Sequence, residues 1–286
     1  MQSRLIRPFA VAIVVAAVAC GLISGQAWAA RVADISNNYE NETAANFNAN
    51  ISSHTFTPID ASVSVPTLTT LLNNYDVVLV FEDTTYGNAT AVGDVVAAFA
   101  QAGGGVVLGT FYDQERSDGA PAYGPHGWGA LELIDPNTTD GTGTAYSPRS
   151  LDVASIVPGP LTAGVTSLFA SRFAGGNQAK PGTIVVANWA QKNALGGADP
   201  AIAYRITDGA CVIHVAIAPQ YPSVGVANVD WGGDFYRVWR NAFSFGARHC
   251  APGPPPGIPT LSTVALALTA LLLVALVAFP RVRARR

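Results

Sequence analysis

One stretch, Tyr75–Thr110, constrains the fold more than any other part of this sequence. It holds two short apolar runs rich in β-branched residues, Val77–Phe81 and Val106–Leu108. Between them, the apolar residues of Val92–Phe99 recur at i, i+3, i+4 and i+7, which is one face of a helix. Three glycines, Gly103–Gly105, end that helix and let the backbone turn into the second run. The stretch therefore predicts a βαβ unit in a parallel sheet that is covered on both faces.

The segments before this unit repeat the same alternation. The sequence predicts a strand at Arg31–Ser36, a weak helix at Thr43–Ile51, a strand at His54–Ile59 and a short helix starting at Pro66–Leu72. Strands that alternate with helices indicate an α/β protein. We expect a flavodoxin-like, doubly wound, mostly parallel sheet.

The C-terminal part of the domain is predicted to add β-structure and one strong helix. Two strands are expected at Leu151–Ile156 and Thr183–Trp189. A β-hairpin is expected from Ala201–Ile206 to Cys211–Ile217, because an Asp-Gly pair favours a tight turn. Asp234–Phe245 is the helix with the clearest amphipathic pattern.

The first 29 residues have the composition of a secretory signal peptide. Arg4 and Arg7 precede an apolar stretch that runs to about Ile23, and Ala27–Ala29 has the small-x-small form of a cleavage site. The alternative is a permanent N-terminal membrane anchor. Export through the Sec translocon follows from the first reading.

The last 35 residues predict a membrane anchor. Residues 252–257 form a Pro/Gly linker, and residues 258–286 contain the uncharged run Thr263–Phe279 and an arginine-rich tail. That run would span about 26 Å as a helix, enough to cross a hydrocarbon core. The arginines would stay in the cytoplasm and leave the domain of residues 30–251 outside it. A buried C-terminal core helix is the alternative.

A five-residue motif precedes this run. It consists of Ile258, Pro259, Thr260, Leu261 and Ser262. Together with the apolar helix and the arginine tail, it resembles the IPTL-type C-terminal sorting signal, a relative of PEP-CTERM signals. The resemblance implies a Gram-negative host, processing by an exosortase-type membrane protease, and a protein anchored in the cell envelope or released to the surface.

Charge and cysteine content narrow the partners and the compartment. Without the arginines of the two ends, ten basic residues remain against all 19 acidic ones, a net charge of −9. An acidic domain without a basic stripe argues against nucleic acid and anionic lipid as partners. Cys211 and Cys250 are the two cysteines of the mature domain, and in an exported protein they favour one disulfide over two free buried thiols.

Four segments carry a resemblance to the class I glutamine-amidotransferase-like superfamily, which includes the ThuA-like proteins. They are Tyr75–Val80, the glycine-rich entry to Val106–Leu108, Gly159–Val165 and Asp234 with Asn241–Phe243. The resemblance implies the fold. The superfamily's enzymes carry a nucleophilic Cys after a strand, but the matching segment Leu108–Tyr112 has no Cys.

The expected consequence is a domain without amidotransferase activity. Thr110 is a poor replacement for the Cys, because a hydroxyl needs an adjacent base to act as a nucleophile. His214 lies within an apolar strand, where we interpret it as a structural histidine.

Ligands of open α/β sheets bind beyond the carboxyl ends of the strands. The catalytic candidates there are Glu82, Asp83, Asp113 and Glu115. The ligand-binding candidates are Asn37, Asn38, His126, Trp128, Asp230, Trp231 and Asp234. Acids beside exposed Trp rings would suit a sugar, and their oxygens would suit Ca²⁺, although no EF-hand or zinc motif is present. The competing interpretation is that they cap helices and shape loops.

Two functions follow from these observations. The first is a non-catalytic domain that binds a ligand or partner, with carbohydrate as one class, or that is structural in the extracellular matrix. The alternative is a divergent glycan hydrolase acting through two of the four acids, whose separation the sequence does not define. No cofactor is expected apart from the Ca²⁺ already considered.

Overall fold

The strands predicted at Val77–Phe81 and Val106–Leu108 lie side by side and parallel in the computed structural model. A helix at Ala89–Gln101 connects them, so the predicted βαβ unit is confirmed. The structure describes residues 29–81, 86–110, 128–131, 133–136, 148–175, 177–193, 196–207, 210–219 and 225–250.

The described strands and helices are numbered in chain order. The strands are β1 (Arg31–Ser36), β2 (Thr55–Asp60), β3 (Val77–Val80), β4 (Gly105–Gly109), β5 (Ile134–Pro136), β6 (Arg149–Asp152), β7 (Leu168–Ala170), β8 (Asn177–Ala179), β9 (Ile184–Trp189), β10 (Asp199–Thr207), β11 (Ala210–Val215) and β12 (Trp231–Gly233). The helices are α1 (Glu40–Asn50), α2 (Leu68–Asn74), α3 (Ala89–Gln101), α4 (Trp128–Leu131) and α5 (Phe235–Phe245). Two 3₁₀ turns at Val153–Ser155 and Pro160–Thr162 and a π-helical turn at Gly246–Cys250 complete the list.

The main sheet is mixed, with a parallel half and an antiparallel half. Its order is β12-β7-β6-β9-β10-β11-β4-β3-β1-β2. The strands from β2 to β11 pair in parallel, and the β2-β1-β3-β4 order is the flavodoxin-like order that we predicted. From β11 to β12 every pair is antiparallel, and β5 and β8 form a separate two-stranded sheet.

Helices cover both faces of the parallel half. On one face, the rings of Phe47 from α1 and Trp239 from α5 lie 5.5 Å apart, and Phe243 joins them. On the other face, Val92 and Val96 of α3 pack with apolar side chains of β3 and β4. Because both faces are buried, all residues of β3 and β4 are buried too.

Close backbone approach explains one of the three predicted glycines. A Cβ on Gly105 would lie 2.7 Å from backbone atoms of Gly246, so only glycine lets β4 meet the turn after α5. Gly103 has a positive φ of 93° after the end of α3, which also favours glycine.

The predicted hairpin and disulfide are both present. β10 and β11 pair from Ile202 with Val215 to Thr207 with Ala210. Cys211 and Cys250 are bonded, with their Cα atoms 4.9 Å apart. The bond ties β11 to the turn that follows α5.

One predicted strand is shorter than expected. β6 ends at Asp152, and Val153–Ser155 forms a 3₁₀ turn instead of continuing the strand to Ile156. The Asp152 side chain accepts a hydrogen bond from the Ala154 amide, which starts the turn. The other boundaries differ by a few residues, as for α1, which begins at Glu40 rather than Thr43.

The targeting segments fall outside the described residues. This applies to residues 1–28 of the predicted signal peptide, to the sorting motif Ile258–Ser262 and to the predicted helix Thr263–Phe279. Within the part of the chain that the structure describes, no helix has the length and hydrophobicity needed to cross a membrane.

Candidate functional site

A buried carboxyl group lies near the carboxyl end of β1. Asp34 pairs with Pro58 of β2 and Leu79 of β3, and its side chain is completely buried on the face that α1 covers. Neither of its carboxyl oxygens has a hydrogen-bond partner among the described residues. A buried, unpaired carboxyl group is costly for a fold, so its retention points to a functional position.

The first turns of α1 place two more polar groups on the same side of the helix. Glu40 and Thr43 are three residues apart and buried, on the face that continues to Phe47. Oε1 of Glu40 accepts a hydrogen bond from Asn41, whereas Oε2 of Glu40 and Oγ1 of Thr43 are buried without a partner. We call Asp34, Glu40 and Thr43 the Asp34 cluster.

Burial and a like charge control the ionisation of this cluster. Burial raises the pKa of Asp34 well above its usual value, and the charge of Glu40 raises it further. Asp34 is thereby held as a neutral acid over a wider pH range than an exposed aspartate. Such a group can donate a hydrogen bond, which an ordinary carboxylate cannot do.

The predicted residues Asn37 and Asn38 lie next to this cluster in sequence, in the turn between β1 and α1. Asn37 is buried, and Oδ1 of Asn38 accepts a hydrogen bond from the Tyr39 amide at 3.1 Å. Ser36 donates its hydroxyl to the Asn38 carbonyl at 2.9 Å. The turn therefore brings two side-chain amides to the carboxyl end of β1.

A second polar group lies at the ends of β4 and β11. His214 pairs with Leu108, and Thr110 follows Leu108 by two residues, which places it on the same face of the sheet. Both are buried, and burial lowers the pKa of His214 to about 3. Oγ1 of Thr110 makes no hydrogen bond to His214. A neutral imidazole is thus near a hydroxyl, but the contact that would activate the hydroxyl is missing.

The two groups lie on opposite faces of the sheet. Asp34 belongs to the face covered by α1 and α5, whereas Leu108, the partner of His214, belongs to the face covered by α3 and α4. The sheet separates them, so they cannot act together on one small ligand.

The two predicted tryptophans are buried, not exposed as sugar stacking requires. Trp128 is 3% exposed, and its ring donates Nε1–H to the Ala89 carbonyl at 2.8 Å. Trp231 is also 3% exposed, and its ring lies 4.5 Å from that of Phe235. Both rings pack in the hydrophobic core.

The predicted aspartates Asp230 and Asp234, one on each side of β12, hold loops in place. Oδ2 of Asp230 accepts from the Val226 amide at 2.7 Å, and Oδ2 of Asp234 accepts from the Thr166 amide at 2.7 Å. Burial opposes the ionisation of Asp234, but its hydrogen bonds and the charge of Arg237 outweigh burial and lower its pKa.

Five candidates lie outside the described residues. They are Glu82, Asp83, Asp113, Glu115 and His126. Among the described residues, no three His, Cys, Asp or Glu side chains form a group able to hold a metal ion. The oxygens of the Asp34 cluster are of the type that Ca²⁺ takes, but they include only two carboxyl groups.

Our interpretation of the sequence did not include Asp34 or Glu40. The signal was present, because Asp34 stands between apolar residues in a strand that was expected to be buried on both faces. An aspartate in a strand that is buried on both faces is rare unless it is paired or has a functional role.

Comparison with known proteins gives the fold. No protein-family model and no curated protein matches this chain. The structure resembles the cytoplasmic protein STM3548 from Salmonella typhimurium, with a TM-score of 0.50 and 9% identity over 75% of this chain and 98% of that one. A ThuA-like protein from Parabacteroides merdae aligns with a TM-score of 0.48 and 13% identity over 79% and 93% of the two chains.

A larger protein shows a weaker likeness. The carbohydrate deacetylase Agd3 aligns with a TM-score of 0.40 and 14% identity, over 77% of this chain and 33% of that one. The chain thus spans about a third of that protein. At these identities the likeness to the Salmonella protein concerns the α/β fold alone.

Proposed function

We propose that this chain is an exported protein of the bacterial cell envelope, with a ThuA-like domain that binds a ligand without amidotransferase catalysis. Carbohydrate is the ligand class that we favour, at the carboxyl end of β1. The sequence features that support export are the predicted signal peptide of residues 1–29, the apolar run Thr263–Phe279 that is predicted to form a membrane-spanning helix, and residues Ile258–Ser262, which resemble a sorting motif.

The disulfide is the observation that carries the proposal. Cys211 and Cys250 are bonded to each other, and the only other cysteine, Cys20, belongs to the predicted signal peptide. No thiol is then left to act as the nucleophile of an amidotransferase. A structural disulfide also fits an oxidising compartment, as export requires.

The position of the Asp34 cluster supports a binding role. Open α/β sheets bind ligands at the carboxyl ends of their strands, where Asn37 and the Asp34 cluster lie. The half-buried side-chain amide of Asn38 carries a donor and an acceptor that suit sugar hydroxyls, whereas Asp34 is completely buried and would act on the site from below the surface. A chain held outside the cytoplasm by the predicted C-terminal anchor would meet envelope polysaccharides.

The location is tested by fractionating a Gram-negative host that expresses the full chain. We expect the protein in the envelope fraction, shortened by the signal peptide, with no thiol labelled by a maleimide in denaturant until a reductant is added, since both cysteines are buried in the folded state. In denaturant the Cys250→Ser variant should show one reactive thiol without reduction, and Cys20→Ser should behave like the wild type. A full-length protein in the cytoplasmic fraction, or labelling without reduction, would refute export.

Ligand binding is tested on a glycan array with the purified full chain. We expect binding that falls about tenfold in Asn37→Ala and persists in Asn73→Ala, an exposed asparagine of α2. Hydrolysis of an arrayed glycan, lost in Glu82→Ala or Asp113→Ala, would support the alternative hydrolase. Absence of both binding and hydrolysis would leave a structural role.

A further inference from the structure

A small pocket lies at the opposite end of α1 from the Asp34 cluster. Its volume is about 270 Å³, and it is formed by the loop between α1 and β2, by α5 and by the turn after α5. Its lining includes the polar side chains of Ser53, Arg240, Ser244 and Arg248. Because α1 separates it from the Asp34 cluster, it is a distinct site.

The charge of this pocket differs from that of the domain. Two arginines line it, and among the described residues no acidic side chain does. Arg240 makes no ion pair with any described residue. The domain has a net charge of −9. Two neighbouring arginines in a pocket that no acidic side chain lines are therefore unusual for its surface.

A chain of hydrogen bonds leaves the Ser244 hydroxyl free to donate. Nδ1 of His54 accepts from the Ala30 amide at 3.1 Å, so the proton of a neutral imidazole is on Nε2. Nε2 is 3.1 Å from Oγ of Ser244, which therefore acts as the acceptor. The hydroxyl proton of Ser244 has no acceptor in the described protein.

His54 stays neutral in this arrangement. Burial lowers its pKa, and the charges of Arg240 and Arg248 act in the same direction against the hydrogen bond to the Arg240 carbonyl. Because the imidazole is neutral, its Nδ1 remains an acceptor and its Nε2 remains the donor to Ser244.

Ser53 provides a second hydroxyl. Its Oγ is buried, and within the described part of the chain it has no hydrogen-bond partner. Ser53 follows α1, whereas Arg240 and Ser244 are one turn apart on α5, so the donors approach the pocket from two sides.

We propose that this pocket binds a tetrahedral oxyanion, phosphate or sulfate, as a free ion or as a group on a larger ligand. Two guanidinium groups would neutralise its charge with directed N–H donors, and two hydroxyl groups would donate to the remaining oxygens. Arginine binds such groups better than lysine because its planar fork matches two oxygens at once.

The test is calorimetric titration of the full chain in non-ionic detergent and chloride buffer. The ligands are inorganic phosphate, sulfate, a sugar phosphate and, as a planar anion, acetate. We expect saturable binding of phosphate and sulfate, tighter than that of acetate. Tighter binding of the sugar phosphate than of phosphate would identify a carried group as the natural ligand, and equal binding would identify the free ion.

Variants link the binding to the pocket. Arg240→Gln should weaken phosphate binding about tenfold or more, and Ser244→Ala should weaken it severalfold, because each removes one donor. Arg237→Gln is the matched control, since Arg237 is an exposed arginine of the same helix that pairs with Asp234. Thermal unfolding in chloride checks that all variants are folded.

The proposal is overturned by wild-type protein that shows no saturable phosphate or sulfate binding. That result would mean that the two arginines only complement the carbonyl end of α1. Equal affinity of Arg240→Gln and wild type would also overturn it. Neither result bears on the glycan site, which the array tests separately.

Discussion

At the scale of single residues, two buried groups make the stability of this protein sensitive to pH in opposite directions. Asp34 has a raised pKa and His214 has a lowered one, in both cases because burial disfavours the charged form. Each group stays neutral in the folded protein at pH values where it would be charged in the unfolded chain. Each therefore lowers the free energy of unfolding in the pH range between its unfolded and folded pKa values.

For Asp34 the loss occurs as the pH rises. Below its unfolded pKa near 3.8, both states are protonated; above it, the unfolded chain ionises while folded Asp34 does not. We therefore expect Asp34→Asn to stabilise the protein at pH 7 and to have little effect at pH 3.5. Urea unfolding at both pH values measures this, with the exposed Asp94→Asn as control; an equal effect at both would contradict it.

For His214 the loss occurs as the pH falls. The unfolded chain protonates its histidine near pH 6.5, whereas folded His214 does so only at about pH 3. The folded state should thus lose roughly 4 kcal/mol between these values through this residue. In His214→Gln the slope of stability against pH should be smaller over that range, whatever its stability at pH 7. The comparison requires denaturation curves at pH 7, 5.5 and 4, and parallel slopes for the two proteins would exclude this role.

At the scale of elements, one buried ion pair holds the antiparallel half of the sheet together. Nε of Arg149 at the start of β6 lies 2.7 Å from Oδ2 of Asp199 at the start of β10, and the two side chains are 8% and 0% exposed. The exposed pair Arg31–Asp76, with a distance of 2.9 Å and exposures of 52% and 38%, offers a comparison of similar geometry.

Asp199→Asn should destabilise the protein by about 3 kcal/mol or more, because it leaves the Arg149 guanidinium buried without its counter-charge. Asp76→Asn should change stability by less than about 1 kcal/mol, since water replaces most of what an exposed pair contributes. Guanidinium unfolding at one pH tests both variants. Similar losses in the two would mean that burial does not determine the strength of these pairs.

At the scale of the whole molecule, one covalent bond joins the hairpin of β10 and β11 to the C-terminal end of the domain. Cys211 and Cys250 are 39 residues apart, and the closed segment includes β12 and α5. The bond limits the freedom of the unfolded chain more than that of the folded one.

Cys211→Ser with Cys250→Ser should therefore lower stability by about 3 to 4 kcal/mol. Addition of a reductant should destabilise the wild type by a similar amount and leave the double variant unchanged. Thermal melting with and without dithiothreitol provides the measurement. A reductant effect of equal size in the double variant would show that the loss has another origin.

Much of the parallel half was predicted because its signals are local. Val77–Phe81, the helical spacing of Val92–Phe99 and Val106–Leu108 lie within one short stretch, and consecutive strands of this kind pair in parallel. The hairpin and the disulfide followed from an Asp-Gly turn and from two cysteines. The antiparallel pairing of β7 with β12 joins short strands about 60 residues apart, for which neither periodicity nor turn chemistry gives a signal.

The candidate site was only partly predictable. Asn37 and Asn38 were expected beyond β1 and are there, but the expected exposure of Trp128 and Trp231 is absent because other aromatic rings pack against them. The exposure of a tryptophan depends on which side chains pack against it, and the residue type alone does not predict this.

The sequence by itself determined the class of the fold, the order of its parallel strands and the pairing of its cysteines. The first two depend on residues that are close in the chain, and the third follows because the domain has only two cysteines. Only the tertiary structure decided that Asp34 is buried beside Glu40 and that His54 meets Ser244 across 190 residues. Contacts between distant residues depend on how helices dock on the sheet, and docking is a result of the whole core.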